Sequence, residues 1–249
     1  MKKNKLKILR LHDKFYLKEN RYKKPKESFK FLVRLLKKLK LNFKNEIRIG
    51  DFGCGNGESS YYLINQFPKA NIYGFDILPE LINKAKKNVK NVKFFTGSVL
   101  DKNLTEYNTY DVSLLIGVLA IFDDFETALN NLIYWTKPNG KIYILSFFNN
   151  YPFDVNIKFS KSKNWQVKKP KFWESGYNVF SKQTISKFLK GKKRVKDFKF
   201  YDFFIKKSLK MNHKDYLRSW TINSNKKKLL INGTNLLHTF SFLEIKLKR

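Results

Sequence analysis

The chain has very little sulfur and little that could stiffen or cross-link it. A single cysteine in 249 residues, Cys54, excludes any disulfide within the chain and fits a reducing compartment. The longest uncharged apolar run, residues 112–122, falls well short of the ~20 residues that a bilayer-crossing helix needs. The basic opening "MKKNKLKILRLHDKF" has only a broken apolar patch and is not a secretory leader, so a cytoplasmic location is expected and no transmembrane segment. Alanine (4 residues), proline (6) and arginine (7) are also scarce. That bias, with abundant Lys, Asn, Ile and Phe, has the character of an AT-rich coding sequence.

Acidic residues are outnumbered 20 to 52, giving a net charge of +32. The imbalance is uneven. Residues 51–150 carry 9 lysines against 10 acids, a net of −1, while the first 50 residues carry +14 and the last 99 carry +19. Exclusion of lysine from a buried middle accounts for such a pattern, and so do flanks that face an anionic partner.

Residues 27–41 place Phe29, Leu32, Val33, Leu36 and Leu39 at helical spacing with basic residues opposite, which predicts an amphipathic helix. Residues 1–45 thus read as a basic arm with a helix, and 46–249 as one domain. From residue 46 strands and helices alternate: strands are expected at 47–52, 71–75, 92–95, 110–116 and 141–147, helices at 58–67, 79–88 and 125–136. This rhythm implies a parallel sheet with right-handed crossovers. "KPNGK" (137–141) reads as the turn before the fifth strand. The rhythm breaks after 148, and residues 149–181, aromatic and basic, read as an insertion over the strand ends that caps a substrate. Residues 182–249 complete the sheet, with a helix at 182–189, a strand at 197–205, and an antiparallel strand at the end of the chain.

In "DFGCGNGE" (51–58) three glycines follow the first strand. No Gly-Lys-Ser or Gly-Lys-Thr follows, which excludes a phosphate loop, and a dinucleotide fingerprint would need glycine where Glu58 puts an acid. The spacing GxGxG after Asp51 resembles the first motif of class I S-adenosylmethionine-dependent methyltransferases. The resemblance continues in order through "IYGFDI", "VKFFTGSVLD", "YDVSLLIGVLAIFDDF" and "TKPNGKIYI", covering residues 46–148.

That resemblance implies an α/β Rossmann-like fold. Its seven-stranded, mostly parallel sheet would have the order 3-2-1-4-5-7-6, with the last strand antiparallel and helices on both faces. S-adenosylmethionine would be the cofactor, with no metal. Gly53, Gly55 and Gly57, with Cys54 and Asn56 between them, would let its methionine part approach, and Asp51 would order the loop or receive the amino group. Asp76 would hold the ribose and Ile77 would cover adenine. Ser98 stands where relatives commonly have an acid for the adenine amino group, leaving more of that contact to Val99 or the backbone. Gly117 would border the transferred methyl.

The acceptor is not written in these motifs. Asp123, Asp124 and His12 are candidate proton acceptors; Asp123 and Asp124 also suit the start of the helix that follows. "NNYPF" (149–153) looks like an amino-group methyltransferase signature but follows the fifth strand instead of the fourth, and is not read as one. Tyr16, Trp165, Trp173 and Tyr177 are candidate substrate contacts. Three readings stand: transfer to a hydroxyl or amine of a small, anionic metabolite such as a sugar or nucleotide-linked sugar; an RNA methyltransferase that uses the basic flanks; and a cofactor-binding protein without activity.

Overall fold

A computed structural model describes residues 13–39, 46–160, 173–224 and 227–249. After a single helical turn, α1 (Asp13–Tyr16), the amphipathic pattern forms α2 (Glu27–Lys37). Its buried stripe includes Phe29, Leu32, Val33, Leu35 and Leu36. Leu32, Val33, Leu35 and Leu36 share one apolar cluster with Ile49, Leu63, Ile82 and Leu114, so the helix assigned to the arm is a layer of the domain itself.

The alternating region then gives β1 (Arg48–Phe52), α3 (Glu58–Gln66), β2 (Asn71–Asp76), α4 (Pro79–Asn88), β3 (Lys93–Thr96), β4 (Tyr110–Ile116), α5 (Glu126–Trp135) and β5 (Thr136–Asn149). In the insertion, β6 (Lys158–Phe159) pairs antiparallel with β7 (Glu174–Ser175), and β8 (Phe180–Ser181) pairs with the far end of β5. Then come α6 (Lys182–Lys190), β9 (Val195–Phe203), a hairpin of β10 (Trp220–Ser224) and β11 (Lys227–Ile231), and β12 (Phe240–Leu247).

The main sheet runs β3-β2-β1-β4-β5-β12-β9, with β1 to β5 parallel and β12 antiparallel to both neighbours. Counting β9 and β12 as sixth and seventh, this is the order 3-2-1-4-5-7-6 with the last strand reversed. The short β8 is an eighth member that the sequence pattern did not indicate. One face carries Leu36, Leu63 and Ile82 from α2, α3 and α4; the other carries Leu129, Leu132, Ile185 and Leu189 from α5 and α6. On the second face the fully buried Phe52 stacks between Phe75 and Trp135, with ring centroids 5.1 and 4.7 Å away.

"KPNGK" is not a turn ahead of β5 but a bulge within it. Tyr110 pairs with Thr136 and Val112 with Lys141, so Asp111 alone faces the four residues from Lys137 to Gly140. Lys137 Nζ lies 2.9 Å from Asp111 Oδ1, and Asn139, in the left-handed region (φ 60°), donates its N–H to Lys248 O. Partners on both sides keep these turn-forming residues in the sheet.

Arg194, just before β9, donates to four acceptors: the carbonyls of Ile133, Tyr134 and Thr136 at the end of α5, and Asn108 Oδ1. A planar fork that closes a helix C-terminus in this way has no lysine equivalent. Arg194→Ala is expected to cost about 2–3 kcal/mol in chemical denaturation, with Arg194→Lys recovering only part of it.

Candidate active site

The glycine loop is bent by its hydrogen bonds. The N–H groups of Gly53 and Cys54 both donate to Phe75 O at the end of β2, at 2.7 and 2.9 Å, and that of Gly55 donates to Asp76 Oδ2 at 2.9 Å. Gly53, Gly55 and Gly57 all have positive φ (74°, 57° and 81°), which a side chain strains. Space then separates their roles. A Cβ on Gly53 would lie 2.3 Å from Val118, and one on Gly57 would lie 2.8 Å from Phe94, so packing demands these two glycines. At Gly55 and Gly117 a Cβ would meet nothing within 4 Å. Of the three loop glycines expected to admit a ligand, only Gly55 opens onto space, together with Gly117 after β4.

Asp51 is buried and accepts hydrogen bonds from Ser59 and Ser60, both at 2.6 Å, in the first turn of α3. Burial pushes its carboxyl above the usual range, against the pull of the two hydroxyls. Asp76 Oδ1 accepts from Leu78 N at 3.0 Å while Oδ2 holds Gly55, which fixes the carboxylate plane at the strand end. Next to it, Ile77 is 40% exposed, although it is apolar. Cys54 is a filler: its buried thiol lies beside Gly74, and burial raises its pKa well above the ordinary thiol value, which leaves it inert. Ser98 Oγ accepts from Leu100 N, and Val99 is a core residue whose carbonyl takes the Asn131 amide.

Asn56 turns away from the open space. Its side-chain amide donates to Tyr16 O, Glu19 O and Glu58 Oε1, while its carbonyl accepts from the Tyr22 hydroxyl at 2.7 Å. Glu58 also takes the backbone N–H of Arg21 at 2.6 Å. The arm is therefore bound to the glycine loop, and Tyr16 contributes its backbone there while Lys26 lies over its ring. The centre of this contact is Glu19, which periodicity does not single out, although it is one of only three acids in so basic an arm. Buried, it pairs with Arg21, Lys26 and Arg218, and Arg218 also holds the buried Asp215 at 3.3 Å.

The insertion is joined to the same region. Asn178, fully buried, receives Ile157 N on its oxygen and gives its amide to Phe122 O, and its own backbone N–H donates to Ala120 O. Tyr177, itself at φ 61°, donates its hydroxyl to Leu217 O. His238, before β12, lies 4.2 Å from the Phe147 ring, with Nδ1 on Leu236 O and Nε2 3.2 Å from Ser219 Oγ. Since a carbonyl only accepts, the proton sits on Nδ1. Burial lowers this histidine to about 4, so it is neutral near pH 7.

Asp124 caps α5, accepting from Glu126 N at 2.6 Å and Thr127 Oγ1 at 2.7 Å. Asp123 takes the Ser175 hydroxyl and pairs with Lys158 at 3.4 Å; the Ser175 bond, with help from Lys158 and Asn178, holds it below the usual carboxylate range. Both carboxylates thus have structural partners and are poor bases. Trp173 is exposed, and His12 and Trp165 lie outside the described residues.

Burial alone would raise Glu19, but Lys26 and the hydrogen bond from Arg218 outweigh it and bring it from 4.5 to about 2. A lowered folded-state value stabilises the arm above pH 4.5, and this contribution is lost as pH falls from there through about 2. Protection of the amides of residues 13–26, taken relative to the intrinsic exchange rate at each pH, is expected to fall over that window in the native chain. In Glu19→Gln that protection should be low already at neutral pH, without a further acid-dependent fall.

Comparison with known proteins gives this geometry a family. The model of a family described as "Methyltransferase domain" matches residues 43–210. Malonyl-[acyl-carrier protein] O-methyltransferase of Bacillus anthracis is 33% identical over 122 residues, 48% of this chain and 44% of that protein. The chain thus spans under half the length of this relative. Putative methyltransferase 235L of Invertebrate iridescent virus 6 is 24% identical over 182 residues, 59% of this chain and 68% of that one. Among solved structures, PH0226 from Pyrococcus horikoshii superposes with a TM-score of 0.57 at 15% identity over 93% of both chains. YcgJ from Bacillus subtilis gives 0.52 at 15% identity over 82% of this chain and 92% of that one; at such identities both speak to the fold alone. Through its matched domain, glycine loop and sheet order, the chain belongs to the methyltransferase-domain family, with the Rossmann-like fold of the class I S-adenosylmethionine-dependent methyltransferases.

Proposed function

We propose that this chain transfers a methyl group from S-adenosylmethionine to a small anionic acceptor. The observation that carries this reading is the meeting of three distant segments around the open ends of β1, β4 and β5. Glu19 of the arm joins Arg218, Tyr177 of the insertion joins Leu217, and His238 before β12 lies on Phe147. Segments that converge in this way over one end of the sheet suit a small molecule better than a polymer.

The bound cofactor supplies an electrophilic methyl group on a sulfonium. Gly55 and Gly117 leave room at the loop and after β4 for its methionine end. Asp76, with its plane already fixed, would accept from the ribose hydroxyls, and the exposed Ile77 would cover adenine. Methyl transfer is an in-line displacement, so alignment of the two reactants supplies much of the rate. A proton acceptor is needed only when the acceptor atom carries a proton to lose. Asp123 and Asp124 are both held as low-pKa partners, which favours an acceptor that is already ionised. The B. anthracis relative is named for O-methylation of a malonyl group, and such a carboxylate oxygen needs no base. The RNA reading rests on the basic flanks, against which stand the scarcity of arginine and the converging segments.

Purified protein given S-adenosylmethionine with a labelled methyl is expected to label a small-molecule fraction of cell extract; label in RNA alone would reverse the choice of acceptor, and label nowhere would favour the inactive reading. Asp76→Ala should lower cofactor affinity by at least about tenfold in calorimetric titration, since two backbone donors lose their acceptor along with the ribose contact. Gly117→Ala is expected to cost about 1–2 kcal/mol in stability through its positive φ. The added methyl enters the proposed cofactor space, so affinity should fall by more than that strain explains.

A further inference from the structure

The turn that follows β3 is set beside the end of β2. Asp76 pairs with Thr96 in the parallel register, and the next N–H, that of Gly97, donates to Asp76 O at 2.8 Å. Ser98 and Val99 therefore stand close to Asp76 and Ile77, the two residues proposed above to meet ribose and adenine. The hydrogen-bonding groups of this turn are unevenly used. Its carbonyls are taken: Ser98 O accepts from Asp101 N at 3.0 Å, and Val99 O from the Asn131 amide at 2.9 Å. Ser98 Oγ accepts from Leu100 N at 3.2 Å. Its donors are left over. Among the described residues nothing accepts from the backbone N–H groups of Ser98 and Val99 or from the Ser98 hydroxyl. Val99 is buried, and a backbone N–H in a buried residue is rarely left without an acceptor. The nearest acid along the chain, Asp101, is engaged elsewhere: its Oδ1 accepts from Asn103 N at 3.0 Å at the start of a short 3-10 turn, Lys102–Leu104.

We propose that this turn recognises the adenine of the cofactor through its ring nitrogens and leaves the 6-amino group unread, so that the chain also takes cofactors altered at that position. The inference rests on the cofactor placement proposed above. The ring nitrogens at the edges of adenine accept hydrogen bonds, and its 6-amino group donates them. A turn whose open groups are two N–H groups and a hydroxyl hydrogen matches the first and has no strong partner for the second. The remaining lone pair of Ser98 Oγ belongs to a neutral oxygen that already carries one bond, and it is a weaker acceptor than the carboxylate that would single out an amine. Ile77, aliphatic and 40% exposed, would cover a base by its flat face, which is nearly the same whatever stands at position 6. Ser98 is thus the residue that sets how selective the chain is for its cofactor's base.

The test is calorimetric titration of the full chain with S-adenosylhomocysteine and with its 6-deamino analogue, in which hydrogen replaces the amino group. The native chain is expected to bind the two within about threefold of each other, since only a neutral contact is at stake. Ser98→Asp should create the missing discrimination. One of its carboxylate oxygens can keep the bond from Leu100 N, as aspartate does in such turns, while the other receives the amine. This variant should prefer S-adenosylhomocysteine by on the order of tenfold or more, with an unchanged melting temperature. Ser98→Ala should weaken both ligands alike. A native preference beyond threefold for the amino ligand, a loss in Ser98→Ala confined to that ligand, or no new preference in a folded Ser98→Asp would each overturn the proposal. Asp76→Ala separates this inference from the reading beneath it. If that change weakens S-adenosylhomocysteine while the native chain rejects the analogue, the inference alone falls; if it changes nothing, the cofactor lies elsewhere and the placement falls as well.

Discussion

Two successive amides, of Gly53 and Cys54, donate to one carbonyl, that of Phe75. This shared acceptor ties the exit of β1 to the end of β2, and much of the site follows from it. The chain reaches that carbonyl only by taking φ to +74° at Gly53, and the missing side chain there is the space that Val118 fills. The loop after β4 is thereby drawn, through Val118, against the loop after β1. The next amide, of Gly55, then reaches Asp76, so one carboxylate both completes the turn and is oriented by it. Asp51 fixes the other side by holding the first turn of α3 through two serines.

The electrostatics of the chain look extravagant in composition and are economical in place. Most of the positive charge is lysine, which costs little on a wet surface. Where a rigid multidentate donor is required, the scarce arginine appears: Arg194 across the end of α5, and Arg218 between Glu19 and Asp215. The few acids of the flanks are correspondingly valuable. Glu19 holds three cations and Glu27 receives two backbone amides, each joining parts of the chain far apart in sequence.

The core was legible from the sequence because its signals are local. Strand and helix periods, the glycine spacing and a carboxylate at a strand end all lie within a few residues of the feature they specify. The seven-stranded order came from family resemblance, and the structure agrees. What escaped notice is built from long-range bonds. No pattern announces that Asn178 will tie the insertion to Phe122, or that Arg218 will find Glu19, 199 positions away. The glycines also show the limit. Their spacing reveals a tight turn, but which of them faces open space depends on Val118 and Phe94, which come from other strands and loops. "KPNGK" has turn chemistry and makes a turn-like bulge; only the partners on both sides, Asp111 and Lys248, keep it inside a strand.

The position of β12 has a consequence for biosynthesis. This strand sits between β5 and β9, although it lies last among them along the chain. Until residues 240–247 have left the ribosome, β5, with Ile142, Ile144 and Phe148 in its run, keeps one edge without its final partner, and β9 has no place in the sheet. A nascent chain in that condition offers an apolar strand edge to any neighbour that can pair with it. Of these three strands the last to be synthesised is therefore the one that closes the open seam, and a chain cut short before it would be prone to association instead of being merely a slightly smaller protein.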